Sequence, residues 1–212
     1  MLKTERMDRV RAALRAQGLT QMIVCDPKSV WYLTGVAVEP YERLLALYLP
    51  TEGEPVLFLN RLFNVPEPPC RTVWHTDTDK PVAQIAEVVD AGRPLGIDKE
   101  WPAKFLIPLM ETHPGMQVVL SSDCVDDCRA CKDAEEQTLM REASRINDAV
   151  NEAAKHYIKA GMTEREVAEF IGAQFRAHGC EGPSFTTIVS FGANTADPHH
   201  EPDDTVLKEG DC

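Results

Sequence analysis

Positive charge is the first thing this chain has little of: 22 Lys and Arg stand against 34 Asp and Glu, a net charge of −12 over 212 residues. Without a global basic field to gather phosphates, neither nucleic acid nor an anionic membrane surface is an expected partner. No run of about 18 apolar residues occurs, which excludes an expected spanning helix. The opening Met1-Leu2-Lys3-Thr4-Glu5-Arg6-Met7-Asp8 is charged and lacks the apolar core and small-residue cleavage site of a secretory leader, so the cytoplasm is the expected address. Cysteines number seven, an odd count without framework spacing, and free thiols are expected rather than disulfides. Also missing are a Walker-type phosphate loop, Gly-x-Gly-x-x-Gly, the Gly-x-Ser-x-Gly elbow and His-Glu-x-x-His, which removes the motif-based case for nucleotide binding, serine hydrolysis and zincin chemistry.

What is present is an ordinary globular composition, 43% apolar and 26% charged, long enough for one large domain or two small ones. Met7, Val10 and Leu14 recur at helical spacing and Gly18 suits a left-handed cap, so a helix opens the chain. Met22 to Cys25 reads as a buried strand, and Val30 to Leu33 as a strand or a tight helical turn. Arg43 to Leu49 and Pro55 to Leu59 flank a Pro-Thr-Glu-Gly-Glu turn and predict a hairpin. Strands are then expected at Thr72–His75, Leu95–Asp98 and Gln117–Leu120, with helices at Pro81–Val89 and Ala103–Met110. Interleaved strands and helices make residues 1–127 a mixed α/β domain.

The pattern changes in residues 128–212, the second expected domain. Leu139, Ala143, Ile146, Val150, Ala153 and Tyr157 step along one face of a long helix closed by Gly161. Thr163-Glu164-Arg165-Glu166 has capping-box order and starts a second helix, with Val167, Ile171 and Phe175 on its buried face. Ser184 to Ser190 reads as a strand, 191–205 as a polar loop, and Lys208 to Asp211 as a turn. One strand and two helices leave an open sheet edge and little second layer, so a longer parent polypeptide, or a domain with its partner elements missing, is expected.

The loop Ser190-Phe191-Gly192-Ala193-Asn194-Thr195-Ala196-Asp197-Pro198-His199-His200-Glu201-Pro202-Asp203-Asp204 holds the densest polar cluster. Histidine is the side chain that changes charge near neutrality, and loops after strands are where sites sit, so His199 and His200 beside four carboxylates are candidates for a proton-transfer site or part of a metal site, the plainer alternative being a solvated acidic loop with surface histidines. Adjacent residues of an extended segment point to opposite sides, which argues against both gripping one ion. Cys124-x3-Cys128-x2-Cys131 has the spacing of three thiolates on a [4Fe–4S] cluster, but it runs into a helix without the expected context, and chance spacing is the reading taken. His75, His113, His156 and His178, with Trp31, Tyr32, Trp74 and Trp101, read as structural.

With its flanks, the second half resembles the opening of the catalytic domain of the creatinase, prolidase and aminopeptidase P family, the pita-bread metallopeptidases. The resemblance rests on Arg129 and Lys132, Gly161-Met162-Thr163-Glu164, Ser184-Phe185, Gly192 to His199, and Leu207 to Asp211. Residues 1–127 look like that family's N-terminal domain, notably at Asp26-Pro27 and Tyr32-Leu33-Thr34-Gly35. The implied fold is an α/β mixed-sheet N-terminal domain followed by the first helices and strand of a pita-bread α+β domain, incomplete in this chain.

The resemblance implies hydrolysis of an Xaa-Pro peptide bond by two divalent ions (Mn, Co, Fe or Zn), which lower the pKa of a shared water. None of the family's five metal ligands maps onto these residues; they are expected beyond Cys212, so this chain alone is expected to be inactive. Asp211 belongs to the Leu-Lys-x-Gly-Asp turn and is not taken as a ligand. His199 maps onto the family histidine that binds substrate and assists proton transfer, and His200 is an auxiliary substrate-binding candidate. A small peptide substrate and a homodimer are implied as partners. The same fold also serves creatinase-like cleavage of a carbon–nitrogen bond, lyase chemistry, and non-catalytic peptide-binding or dimerisation modules.

Overall fold

The computed structural model describes residues 2–212, which fall into two compact units divided between Lys132 and Asp133. The first is built from α1 (Thr4–Ala16), β1 (Gln21–Val24), α2 (Pro27–Thr34), β2 (Ala46–Pro50), β3 (Val56–Asn60), β4 (Arg71–His75), α3 (Pro81–Ala86), β5 (Leu95–Ile97), α4 (Ala103–Thr112), β6 (Val118–Leu120) and α5 (Asp123–Ala130). Its strands form one six-stranded sheet in the order β4-β3-β2-β1-β5-β6. β2 runs antiparallel to β1 and β3, while β1–β5, β5–β6 and β3–β4 are parallel, so the sheet is mixed, as expected.

Side-chain alternation explains why these strands read as continuous apolar runs. Met22, Val24, Leu47, Leu49, Leu57 and Leu59 face α1, α2 and α5, where Val10, Leu14, Val30, Leu33 and Val125 complete one core layer. Ile23, Ala46, Val56, Phe58 and Leu95 point the other way and meet Ile85 of α3, Leu109 of α4 and Trp101. A sheet covered on both faces has no polar face to display. Each fully buried leucine here contributes roughly 1.5–3 kcal/mol relative to exposure.

Val30 to Leu33 resolve as helix. Asp26 caps α2 by accepting from the Ser29 N–H at 2.8 Å, Pro27 supplies the first turn, and Gly35 closes the helix at φ 76°. The guanidinium of Arg129 reaches the same Asp26 carboxylate at 3.2 Å and the Ser29 hydroxyl at 3.0 Å. Two motif steps far apart in sequence thereby meet in one structural joint. The 127/128 boundary read from the sequence falls inside α5, whose Cys124, Val125 and Cys128 pack into the first core, and the compact units divide after Lys132.

The second unit contains α6 (Ala134–Tyr157), α7 (Glu164–Ala177) and a 3₁₀ turn at Gly192–Ala196. Both helices begin with a reciprocal capping box, Asp133 with Glu136 and Thr163 with Glu166. Tyr157 stacks on Phe170 with centroids 3.8 Å apart, which fixes α6 against α7. Only part of the apolar stripe of α6 is covered: Val150 and Ala154 are buried, whereas Leu139 is 65% exposed. The strand expected at 184–190 does not form. Phe185, Thr186, Thr187 and Ile188 have strand-forming side chains, but among the described residues no neighbouring strand pairs with them, and a lone strand leaves its ladder groups unsatisfied. One isolated antiparallel bridge, Thr163 with Val206, ties the loop's far end to the start of α7.

Candidate functional site

The site grows out of the first turn of α7. Thr163 caps the helix, leaving Glu164 as its first residue, and the fall of Val167 three positions on and Ile171 seven positions on places this glutamate in line with the buried face. Its side chain is fully buried. A carboxylate there needs donors, and the loop that follows residue 190 supplies four. Oε1 accepts from the Phe191 N–H at 2.7 Å and the Asn194 amide at 3.0 Å. Oε2 accepts from His200 Nε2 at 2.8 Å and the Asp203 N–H at 3.1 Å. Burial pushes this carboxyl up, but the N–H groups of Asp203 and Phe191, the Asn194 amide and His200 outweigh it and hold the pKa at about 2. Since an ionised carboxylate only accepts, the hydrogen of the His200 ring facing it sits on Nε2.

The loop is closed by further bonds on either side. Asn194 also donates to the Thr205 hydroxyl at 3.1 Å, and the Glu164 and Arg165 N–H groups donate to the carbonyls of Thr205 and Asp203. Gly192 sits at φ +52°, where a Cβ would meet the Asp211 carboxylate at 3.3 Å, so a side chain is disfavoured on two counts. At the apex, the His199 N–H donates to Asp197 Oδ1 at 2.9 Å, while its imidazole is exposed and has no side-chain partner among the described residues. Beside the loop, an open groove of about 840 Å³ runs past Ala154, Ile158, Val167, Ile171, Ser190 and Phe191.

The two histidine candidates thus separate. His199 is presented outward, and His200 is turned inward with only 18% of its side chain exposed and its Nε2 engaged by Glu164. Glu164 itself was not singled out from the sequence as a site residue, although an acid on an apolar stripe was the signal that marked it.

Glu164, His200 and Asp203 are also the one group of three potential metal ligands among the described residues, their ligand atoms lying within 4.8 Å of one another. The donor chemistry does not fit an ion at this point. Both oxygens of Glu164 already accept two hydrogen bonds each, and the nitrogen that His200 turns toward them carries a hydrogen instead of a free lone pair. The Cys124, Cys128 and Cys131 spacing divides as well: Cys124 and Cys128 are buried one turn apart on α5, and Cys131 is exposed. Burial, with Asp123 nearby, raises the Cys124 thiol to about 11, which opposes the thiolate that a cluster needs.

Comparison with known proteins assigns both units. Residues 6–131 match the Creatinase/Prolidase N-terminal domain, and residues 138–212 match Metallopeptidase family M24. The chain is 31% identical over 209 residues to a protein of Mycobacterium tuberculosis named probable dipeptidase PepE, covering 94% of this chain and 55% of that protein. It is 28% identical to a putative dipeptidase, YkvY, of Bacillus subtilis, covering 97% of this chain and 59% of that one. Among solved structures, dipeptidase PepE from Mycobacterium ulcerans superposes with a TM-score of 0.87 at 29% identity, over 98% of this chain and 58% of its own. A prolidase from Thermococcus sibiricus gives 0.85 at 26% identity, over 100% and 60%. The chain therefore spans somewhat more than half the length of the relatives it matches.

Proposed function

Because the chain belongs to the creatinase/prolidase family of pita-bread M24 metallopeptidases, we propose that its parent protein hydrolyses Xaa-Pro peptide bonds, as an Xaa-Pro dipeptidase or aminopeptidase, and that His199 is the catalytic residue this chain contributes. The observation that carries the reading is the presentation of His199: an exposed imidazole, without a side-chain partner among the described residues, at the tip of a loop pinned on both sides to the start of α7. An imidazole so placed can donate a hydrogen bond to a scissile carbonyl, or a proton to a departing nitrogen, where charge develops. Relatives bearing the names dipeptidase and prolidase support the substrate class.

Metal dependence comes with family M24. The ions, two of Mn, Co, Fe or Zn, are part of the proposal, and so is the supply of their ligands by sequence following Cys212, since the acidic group at Glu164 is already engaged. A cytoplasmic homodimer acting on small peptides completes the reading. No helix among the described residues is long and apolar enough to cross a membrane.

The test uses the protein expressed from its own gene, assayed on a panel of Xaa-Pro dipeptides and longer Xaa-Pro peptides without added metal and with Mn²⁺, Co²⁺, Fe²⁺ or Zn²⁺ in turn. Metal-dependent cleavage is the expected result. His199→Ala is expected to lower kcat by about 100-fold or more with metal content unchanged. Absence of Xaa-Pro cleavage under all metals refutes the function, and full turnover in the variant removes His199 from the chemistry.

A further inference from the structure

We propose that Glu164 is the positioning residue of this site, holding His199 in place without touching substrate. The inference rests on the reading of His199 above, and its physical basis is the way the four donors divide. Oε1 takes its two hydrogen bonds from Phe191 and Asn194, which precede His199 in the chain. Oε2 takes its two from His200 and Asp203, which follow it. One fully buried carboxylate thus bridges the two stems of the loop, and residues 195–199 form the arc between its two sets of donors.

The stems are not equally secured by anything else. The outgoing stem has its own backbone ladder to α7, from the N–H groups of Glu164 and Arg165 to the carbonyls of Thr205 and Asp203, and between Leu207 and Met162. Among the described residues the incoming stem has no backbone bond to α7. Its polar ties are Glu164, the Asn194 amide to the Thr205 hydroxyl and, at 3.1 Å, against His200 Nε2, and the Gly192 N–H to the Cys212 carbonyl. The register of one stem against the other, and hence the place of His199, is set chiefly by Glu164.

A carboxylate is required because all four partners are donors. Glutamine in its place offers one accepting oxygen and an amide that donates, so two of the four groups would face a donor. The Phe191 and Asp203 N–H groups cannot change sign to accommodate it. The same saturation distinguishes a positioning role from metal ligation, in which the oxygens would be open.

The experiment compares Glu164→Gln, His199→Ala and the double variant in the protein expressed from its own gene, with kcat, KM and bound metal measured for each, and amide hydrogen exchange read at Phe191 and Asp203. Displacing a reacting group by about 1 Å is worth about 100-fold in rate. The expected result is a loss of kcat in Glu164→Gln approaching that size with KM within about threefold, and a double variant no slower than His199→Ala alone, as for groups that act as one unit. Multiplicative losses in the double variant, an unchanged kcat in Glu164→Gln, or metal lost in proportion to activity would each overturn the proposal.

If the wild-type protein shows no Xaa-Pro hydrolysis, the functional reading fails on its own, and the exchange measurement still decides the anchor. Protection at Phe191 and Asp203 that drops at least tenfold in Glu164→Gln supports it, and unchanged protection rejects it. Should Glu164→Gln fail to fold, Asn194→Ala removes one of the four donors with less disruption and is expected to give the same pattern at smaller amplitude; no change in kcat and in Phe191 exchange rejects the anchor.

Discussion

Acid should loosen the second unit through one residue. Glu164 titrates at about 2 in the folded chain against an ordinary 4.5, so between those values the unfolded chain binds the proton and the folded one does not. The sign follows directly: the stabilisation is complete above pH 4.5 and is lost as pH falls toward 2. At about 1.4 kcal/mol per pH unit, that interval is worth roughly 3 kcal/mol. The perturbation that isolates it is Glu164→Gln, which keeps the side chain's size but has no proton to gain, while His200 and Asp203, the titratable groups facing it, remain in both proteins. Glu142, Glu152 and Glu166 also titrate low in this unit, but they are exposed and common to both proteins, so they cancel in the difference. The assay is urea unfolding followed by methyl NMR signals of Val167 and Ile171 on α7. All three tryptophans, Trp31, Trp74 and Trp101, lie in the first unit, and their fluorescence provides a control that the substitution leaves unmoved. Wild type should exceed Glu164→Gln in stability at pH 6, and the gap should narrow by roughly 3 kcal/mol by pH 2. A gap that is constant with pH refutes the reasoning, because a carboxylate holding four donors cannot be indifferent to its own protonation.

Thiol labelling separates the cysteines by burial: Cys131 and Cys212 should react with a maleimide at once, and Cys25, Cys124 and Cys128 only after unfolding. Rapid labelling of Cys124 and Cys128 would contradict the packing of α5 on the first core. Asp26→Ala removes the cap of α2 and one carboxylate partner of Arg129, and should lower the stability of the first unit by about 1–2 kcal/mol in urea unfolding monitored by tryptophan fluorescence. A loss below about 0.5 kcal/mol would mean that this joint is not structural. Gly192→Ala should destabilise the second unit by about 1–2 kcal/mol, because its φ of +52° is disfavoured for alanine and the new Cβ meets Asp211. Unchanged methyl-probed unfolding would show that the turn relaxes freely.

The first unit was legible in the sequence because its local signals and its burial agree. The hairpin of β2 and β3, the parallel strands β4, β5 and β6, and the helices after Pro81 and Pro102 lie within a few residues of the sequence reading, since each is an apolar run or periodic face bounded by turn residues. Val30 to Leu33 stayed ambiguous because four consecutive apolar residues carry no period, and the deciding features were the Asp26 cap and Gly35 on either side. The 184–190 segment shows the opposite failure. Its composition favours a strand, but a strand is a relation between two segments, and the described residues provide no second one.

The loop histidines mark where one-dimensional reading stops. Two adjacent residues of the same type were expected to point to opposite sides, and they do, but which of them points inward is not written in their own neighbourhood. It is decided by Glu164, some 35 positions earlier, whose place on the buried stripe of α7 obliges it to find donors. An acid at such a position announces that a buried polar network exists; the sequence does not say which of the loop's N–H groups complete it. Once Oε2 is assigned to His200 and Asp203, and Oε1 to Phe191 and Asn194, the free imidazole of His199 follows as what the network leaves outside. The residue that meets substrate in the proposed reaction is therefore selected by a residue that does not, and a search for sites confined to exposed polar loops would find His199 without finding what places it.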